Sequence, residues 1–139
     1  MTISIDSNII AALWNDHDPL NEVAVRIFGL IGHDRLVVSG SVYSELMAGP
    51  LRDEASLDLF FKDTGIEIDW EIGEEVWREA GRAYSGFAKR RKHSGAGPPR
   101  RIFTDFLIGA QAVIRGYTLL TLDERLYRAS FPKIRVESF

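Results

Sequence analysis

The sequence predicts an α/β domain, a parallel β-sheet covered on both faces by helices, and three observations lead there. Short runs of β-branched and apolar residues alternate along the chain with stretches whose apolar residues recur at helical spacing. The 139 residues suffice for one domain with its own core but not for two of ordinary size, so a single domain over 1–139 is expected. Hydrophobic residues make up 45% of the chain and charged residues 27%, the balance of a folded globular protein rather than a disordered one.

Taken in order, "TISI" (2–5) reads as a strand and "SNIIAALW" (7–14) as a short helix. "PLNEVAVRIFGLIG" (19–32) reads as a second helix, with Pro19 at its start and Val23, Ile27, Leu30 and Ile31 on one face. "RLVV" (35–38) is the second strand. "SVYSELMAG" (41–49) follows as a helix, with Val42 and Leu46 one turn apart and Gly49 and Pro50 at its end. "DEASLDLFFKDTG" (53–65) is a helix with Leu57, Phe60 and Phe61 inward and Gly65 as its C-terminal cap. After the strand "IEI" (66–68), the longest helix runs from Glu74 to about Lys92 on a stripe of Val76, Trp77, Ala80, Tyr84 and Phe87. "DFLIGAQAVIRG" (105–116) is a strongly apolar helix, "YTLLT" (117–121) a strand, "DERLYRAS" (123–130) a short helix and "KIRVES" (133–138) a last strand.

Four acids fall on one edge of such a sheet. Helices that follow parallel strands start at the strands' C-terminal edge, where open α/β sheets bind their ligands. Asp6 ends the first strand, Asp123 ends "YTLLT", and Glu45 sits about a turn into the helix after "RLVV". Asp105 opens the apolar helix whose far end feeds the strand before Asp123, so it starts at the same edge. Singly, each has a bland explanation. Asp6, Asp105 and Asp123 stand where helix N-caps belong, Thr121 and Glu124 have capping-box spacing, and Glu45 suits a solvated helix face. Jointly they do not, because two like charges about 4 Å apart at an effective dielectric of about 20 repel by about 4 kcal/mol. A cluster of that kind persists only by taking up protons or a cation. The chain has no cysteine, which excludes disulfides and thiolate sites. All-oxygen ligation points to Mg²⁺ or Mn²⁺, one ion or two, and that chemistry suits phosphodiester hydrolysis.

The net charge of -3 hides an asymmetry. "KRRKHSGAGPPRR" (89–101) carries Lys89, Arg90, Arg91, Lys92, Arg100 and Arg101 with no acid. These cations suit contact with RNA phosphates, and the helix-dipole effect explains Lys89 to Lys92 equally well but not Arg100 and Arg101. Gly95 and Gly97 fit a loop that orders around a substrate or an ordinary linker. His17, His33 and His93 have no helical metal spacing and read as surface residues, and Trp14, Trp70 and Trp77 read as core or interface residues. Ser7 and Thr104 flank the acids and can bond a carboxylate, though both are ordinary at helix starts. With no signal-like N-terminus and no apolar run near the roughly 20 residues that span a bilayer, a cytoplasmic protein is expected.

The pieces "IDSNII" at Asp6, "SVYSELMAG" at Glu45, "TDFLIGAQAV" at Asp105 and "LLTLDERLY" at Asp123 resemble the PIN-domain nucleases, and within them the VapC-type toxins of bacterial toxin–antitoxin pairs. Their order and spacing cover almost the whole chain. The resemblance implies a five-stranded parallel sheet in the order 3-2-1-4-5 flanked by helices. It implies a metal-dependent endoribonuclease in which Asp6, Glu45, Asp105 and Asp123 bind Mg²⁺ or Mn²⁺, with Asn8 as a polar neighbour; Ser7, Thr104 and Thr121, beside the same acids in the chain, are further candidate polar neighbours. It also implies an RNA substrate, a cognate antitoxin and a homodimer. Two departures stand out: Tyr127 where such chains often carry Phe after the last acid, and a longer, more cationic loop before Asp105. Other functions compatible with the residues are a housekeeping RNA-processing nuclease and a non-catalytic RNA- or partner-binding domain. A phosphorylatable receiver module fits less well, because Lys133, the late lysine, precedes its strand instead of following it.

Overall fold

The computed structural model describes residues 1–30, 32, 34–50, 52–95 and 103–137. Five short strands form one sheet: β1 (Thr2–Ile5), β2 (Arg35–Ser39), β3 (Glu67–Asp69), β4 (Thr118–Leu120) and β5 (Arg135–Glu137). All pairs are parallel and the order is β3-β2-β1-β4-β5, as the resemblance implies. The central strands are apolar on both faces, with Ile5, Val38 and Leu119 fully buried, which a sheet covered on both sides requires. The cover is supplied by α1 (Ser7–Trp14), α2 (Asn21–Leu30), α3 (Gly40–Leu46), α4 (Glu54–Thr64), α5 (Glu74–Ser94), α6 (Thr104–Arg115) and α7 (Glu124–Ser130).

The strand order fixes where a ligand belongs. From β1 the chain moves outward to β2 and β3, then returns past β1 to β4 and β5, so the winding reverses between β1 and β4. Those two strands pair in register Ile5 with Leu120, and the Asp6 amide donates to the Leu120 carbonyl at 3.0 Å. Beyond that bond the chains diverge into α1 and α7. The crevice they leave at the C-terminal ends of the strands is the usual binding place of a doubly wound sheet.

Helix α6 is the spine of the core. Its residues Phe106 to Ala112 are all buried, and Gly109 lets the Phe131 ring lie against the helix backbone where a methyl group would overlap it. Helix α5 packs antiparallel along it. Arg115, at the end of α6, donates to the Ile72 carbonyl just before α5, while Phe87 meets Phe106 at the start of α6 with ring centroids 5.4 Å apart. The last turns of α5, with Lys89 to Lys92, therefore project past the start of α6.

Several local expectations change. Helix α2 starts at Asn21 rather than Pro19, because the Asp18 carboxylate accepts from the Leu20 amide at 2.8 Å and holds Pro19 in a turn. Helix α3 stops at Leu46, before Gly49. Gly65 caps α4 in the left-handed conformation, φ 72°, as its position predicts. Leu57 and Phe61 are buried, but Phe60 is only half-buried, against Trp14. Trp77 is 54% exposed: Val76 and Ala80, one turn apart, face the core, and a residue next to Val76 lies about 100° around the helix from it. Trp70 is 64% exposed, so neither tryptophan belongs to the core. The side chains of Ile27 and Leu30, and residues Ile31, His33, Gly97, Arg100 and Arg101, lie outside the described set.

Candidate active site

Asp6 occupies the N-cap position of α1, yet its side chain makes no capping bond. Asp53 does cap, accepting from the Ser56 amide at 2.8 Å, so the chain uses that device where it needs it. The Asp6 carboxyl instead points into the crevice, 3% exposed. Its Oδ2 accepts from the Thr121 hydroxyl at 2.7 Å and the Tyr127 hydroxyl at 2.9 Å, and its Oδ1 lies 3.4 Å from Ser7 Oγ.

Ser7 links this acid to the next. Its hydroxyl also reaches Glu45 Oε1 at 3.3 Å. A hydroxyl carries one proton, so between two carboxylates it serves one at a time; with one acid protonated, a continuous chain of donors runs from acid to serine to acid. The other Glu45 oxygen, Oε2, is buried without a hydrogen-bond partner.

Thr121 is the hub on the other side. While donating to Asp6, its hydroxyl accepts from the Asp123 amide at 2.9 Å and from Asn8 Nδ2 at 3.4 Å. Asn8 Oδ1 in turn accepts from the Leu122 amide at 3.2 Å, which ties α1 to the turn after β4. The capping-box reading of Thr121 with Glu124 does not hold, since the Thr121 hydroxyl accepts from the Asp123 amide and the Thr121 amide donates to the Glu137 carbonyl, with Asp123 at the N-cap.

Asp123 holds the N-cap position of α7 and also makes no side-chain capping bond. Asp105 is the second residue of α6, not its cap, and Thr104 opens the helix beside it. Both acids are half-buried and both act electrostatically on the Tyr127 hydroxyl, as Asp6 does. Tyr127 thus hydrogen-bonds Asp6 and stands within the electrostatic reach of Asp105 and Asp123. Sequence reasoning marked it only as an aromatic after the last acid; the signal for its polar role was the hydroxyl that distinguishes it from phenylalanine.

The electrostatics follow from burial. Desolvation pushes the Asp6 carboxyl above its ordinary value of 3.8, and the hydroxyls of Thr121, Tyr127 and Ser7 pull it part of the way back. Glu45 is also raised, first by burial and further by the charge of Asp6, against the Ser7 hydroxyl and the Arg52 guanidinium. Burial, then the negative charge of Asp6, Asp105 and Asp123, pushes the Tyr127 phenol far above its ordinary range, so it stays a donor.

The four acids come to one sheet edge without closing into a cage. Among the described residues, no group of three or more acidic or histidine side chains stands ready to hold a metal ion. The donor chemistry nonetheless fits a hard cation at Asp6 and Glu45: two carboxyls held by one serine, both with raised proton affinity, and one carboxylate oxygen without a partner. Of the predicted cations, Lys89, Arg90 and Lys92 are exposed, and Arg91 is half-buried, its guanidinium 5.8 Å from the Phe87 ring centroid.

Fold and site together define a doubly wound α/β domain with an acidic pocket at its topological switch point. The PIN-domain family model matches residues 3–132, and the chain belongs to that family. Solved structures with the same fold include VapBC-1 from nontypeable Haemophilus influenzae, at 21% identity and TM-score 0.68, with 99% of this chain and 98% of that one covered. VapBC2 from Rickettsia felis bound to a promoter DNA fragment is 19% identical, TM-score 0.64, with 99% and 98% covered. The sarcin–ricin-loop-cleaving toxin VapC20 from Mycobacterium tuberculosis is 17% identical, TM-score 0.66, with 96% and 98% covered. No curated protein matches the sequence.

Proposed function

We propose that this protein is a metal-dependent endoribonuclease that serves as the toxin of a toxin–antitoxin pair. The observation that carries the reading is the Asp6–Ser7–Glu45 linkage beside the β1–β4 switch point, with the Asp6 partner Tyr127 also under the negative charge of Asp105 and Asp123. Membership of the PIN family and the fold shared with toxin–antitoxin nucleases support it.

In this reading Asp6 and Glu45 would hold Mg²⁺ or Mn²⁺, one ion or two, and Asp105 and Asp123 would add ligands. The ion, when bound, polarises a phosphoryl oxygen and supplies a water of lowered pKa. Thr121 and Tyr127 keep Asp6 in one rotamer by donating to a single oxygen, so its other oxygen is left for ligation. Ser7 sets the spacing of Asp6 and Glu45, and Asn8 holds the wall that carries Asp123. Lys89, Arg90, Arg91 and Lys92 add sequence-independent attraction for the RNA backbone beyond the start of α6.

The partners proposed are an RNA substrate, a protein antitoxin and a second copy of the chain. The exposed Trp70 and Trp77 line one cleft of ≈ 580 Å³ and offer apolar surface for self-association. The proposed place of action is the cytoplasm, and among the described residues no helix is long and apolar enough to cross a membrane. The purified chain is expected to cut RNA with Mn²⁺ or Mg²⁺ and to stop on adding EDTA. Its expression alone is expected to arrest growth until the adjacent gene is co-expressed. Harmless expression of an active nuclease would instead favour an RNA-processing role, and failure to cut RNA with either ion would overturn the reading.

A further inference from the structure

Arg52 stands on the wall between two clefts. The first, ≈ 180 Å³, is the mouth of the acid site and includes Ser7, Asn8 and Glu45. The second, ≈ 490 Å³, is lined by Trp14, His17 and Pro50, together with Asp16 and Asp18. Arg52 and Ala11 line both, so the two clefts are neighbours separated by the Arg52 side chain.

The guanidinium is placed with care. It lies over Gly49, in the space that a β-carbon at that position would share with it. Its charge reaches the Glu45 carboxyl, yet the two do not pair: Arg52 Nε and Glu45 Oε2 are both buried without a hydrogen-bond partner. An arginine meant to neutralise the acid would close that ion pair. One that lines both clefts without closing that pair carries its charge where an anionic group can approach, and a guanidinium matches a phosphodiester. The second cleft is large enough for a nucleoside and offers the Trp14 and His17 rings for stacking. Its acids, Asp16 and Asp18, repel phosphate but accept from base amino groups, so they favour a base in the cleft and leave the backbone to Arg52.

We propose that Arg52 grips a backbone phosphate of single-stranded RNA next to the one being cut, leading the strand from the acid site into the Trp14–His17 cleft, where a neighbouring base is held. The proposal rests on the ribonuclease reading and extends it to the path of the substrate.

The test is fluorescence anisotropy with a labelled single-stranded oligoribonucleotide of mixed sequence, in EDTA, on full-length Asp6→Asn protein so that nothing is cut. Arg52→Gln is expected to weaken binding about tenfold or more and to reduce the slope of log affinity against log salt by about one. Arg52→Lys is expected to restore the slope. Equal melting curves for the two variants show that charge, not folding, is being read. Unchanged affinity and slope in Arg52→Gln would overturn the Arg52 assignment alone and leave that residue to a protein partner. An Asp6→Asn parent that binds no RNA would overturn the proposed strand path, whereas the ribonuclease reading falls only if the wild type fails to cut RNA with Mn²⁺ or Mg²⁺.

Discussion

Asp6→Asn is expected to abolish RNA cleavage, by at least about a hundredfold, while raising the melting temperature. The two effects share one cause. The Asp6 carboxyl is buried, and burial holds its proton affinity above that of the unfolded chain. A raised acid contributes stability that is fully present below its unfolded value near 3.8 and is lost as the pH climbs through its folded value. At neutral pH the native protein therefore bears the cost of a buried charge. The amide removes that charge and keeps the hydrogen bonds: its oxygen accepts from Thr121 and Tyr127, and its nitrogen donates to Ser7. Each kcal/mol recovered raises the melting temperature by about 3 °C for a chain of this length. Thermal melts from pH 4 to pH 8 check this, with the gap expected to widen as pH rises. A variant less stable than wild type at neutral pH would show that the carboxylate serves the fold rather than the chemistry.

Tyr127→Ala is expected to be the most destabilising single change near the site. The side chain is 1% exposed and packs in the core, and truncating a buried aromatic costs about 3–5 kcal/mol, a large share of the roughly 5–15 kcal/mol that holds a domain together. Tyr127→Phe separates packing from polarity, because it keeps the ring and loses only the donor to Asp6. That hydroxyl lowers the proton affinity of Asp6, so its removal raises it further. The acid limb of the kcat/KM profile for RNA cleavage is therefore expected to move to higher pH in Tyr127→Phe, with the melting temperature changed far less than in Tyr127→Ala. An unmoved acid limb would mean that Tyr127 does not set the state of Asp6 in the active protein.

Alternation of strands and helices was legible because each element is short and bounded by glycine, proline or a change of periodicity. The edge on which the acids fall was legible too, since a parallel sheet sends every strand end to one side, and Asp6 follows β1 directly while Asp123 lies in the turn after β4. What sequence could not show is how side chains meet across the crevice. Tyr127 and Asp6 are 121 positions apart, and although Thr121 is expected near the acids, its capping-box spacing to Glu124 does not reveal that its hydroxyl donates to Asp6. Trp77 sits in an apolar stripe by composition but one step around α5 from the buried face. Arg52 left one faint mark, a cation shortly after the helix that carries Glu45, with a glycine close by at position 49.

The most direct test of the metal-bound acidic edge is a calorimetric titration of Mn²⁺ into wild type, Asp6→Asn and Glu45→Gln, with melting temperature followed in parallel. Saturable binding that stabilises the wild type, lost in Asp6→Asn and weakened in Glu45→Gln, is the expected result. Binding of equal strength in all three proteins, or none in the wild type, would contradict it.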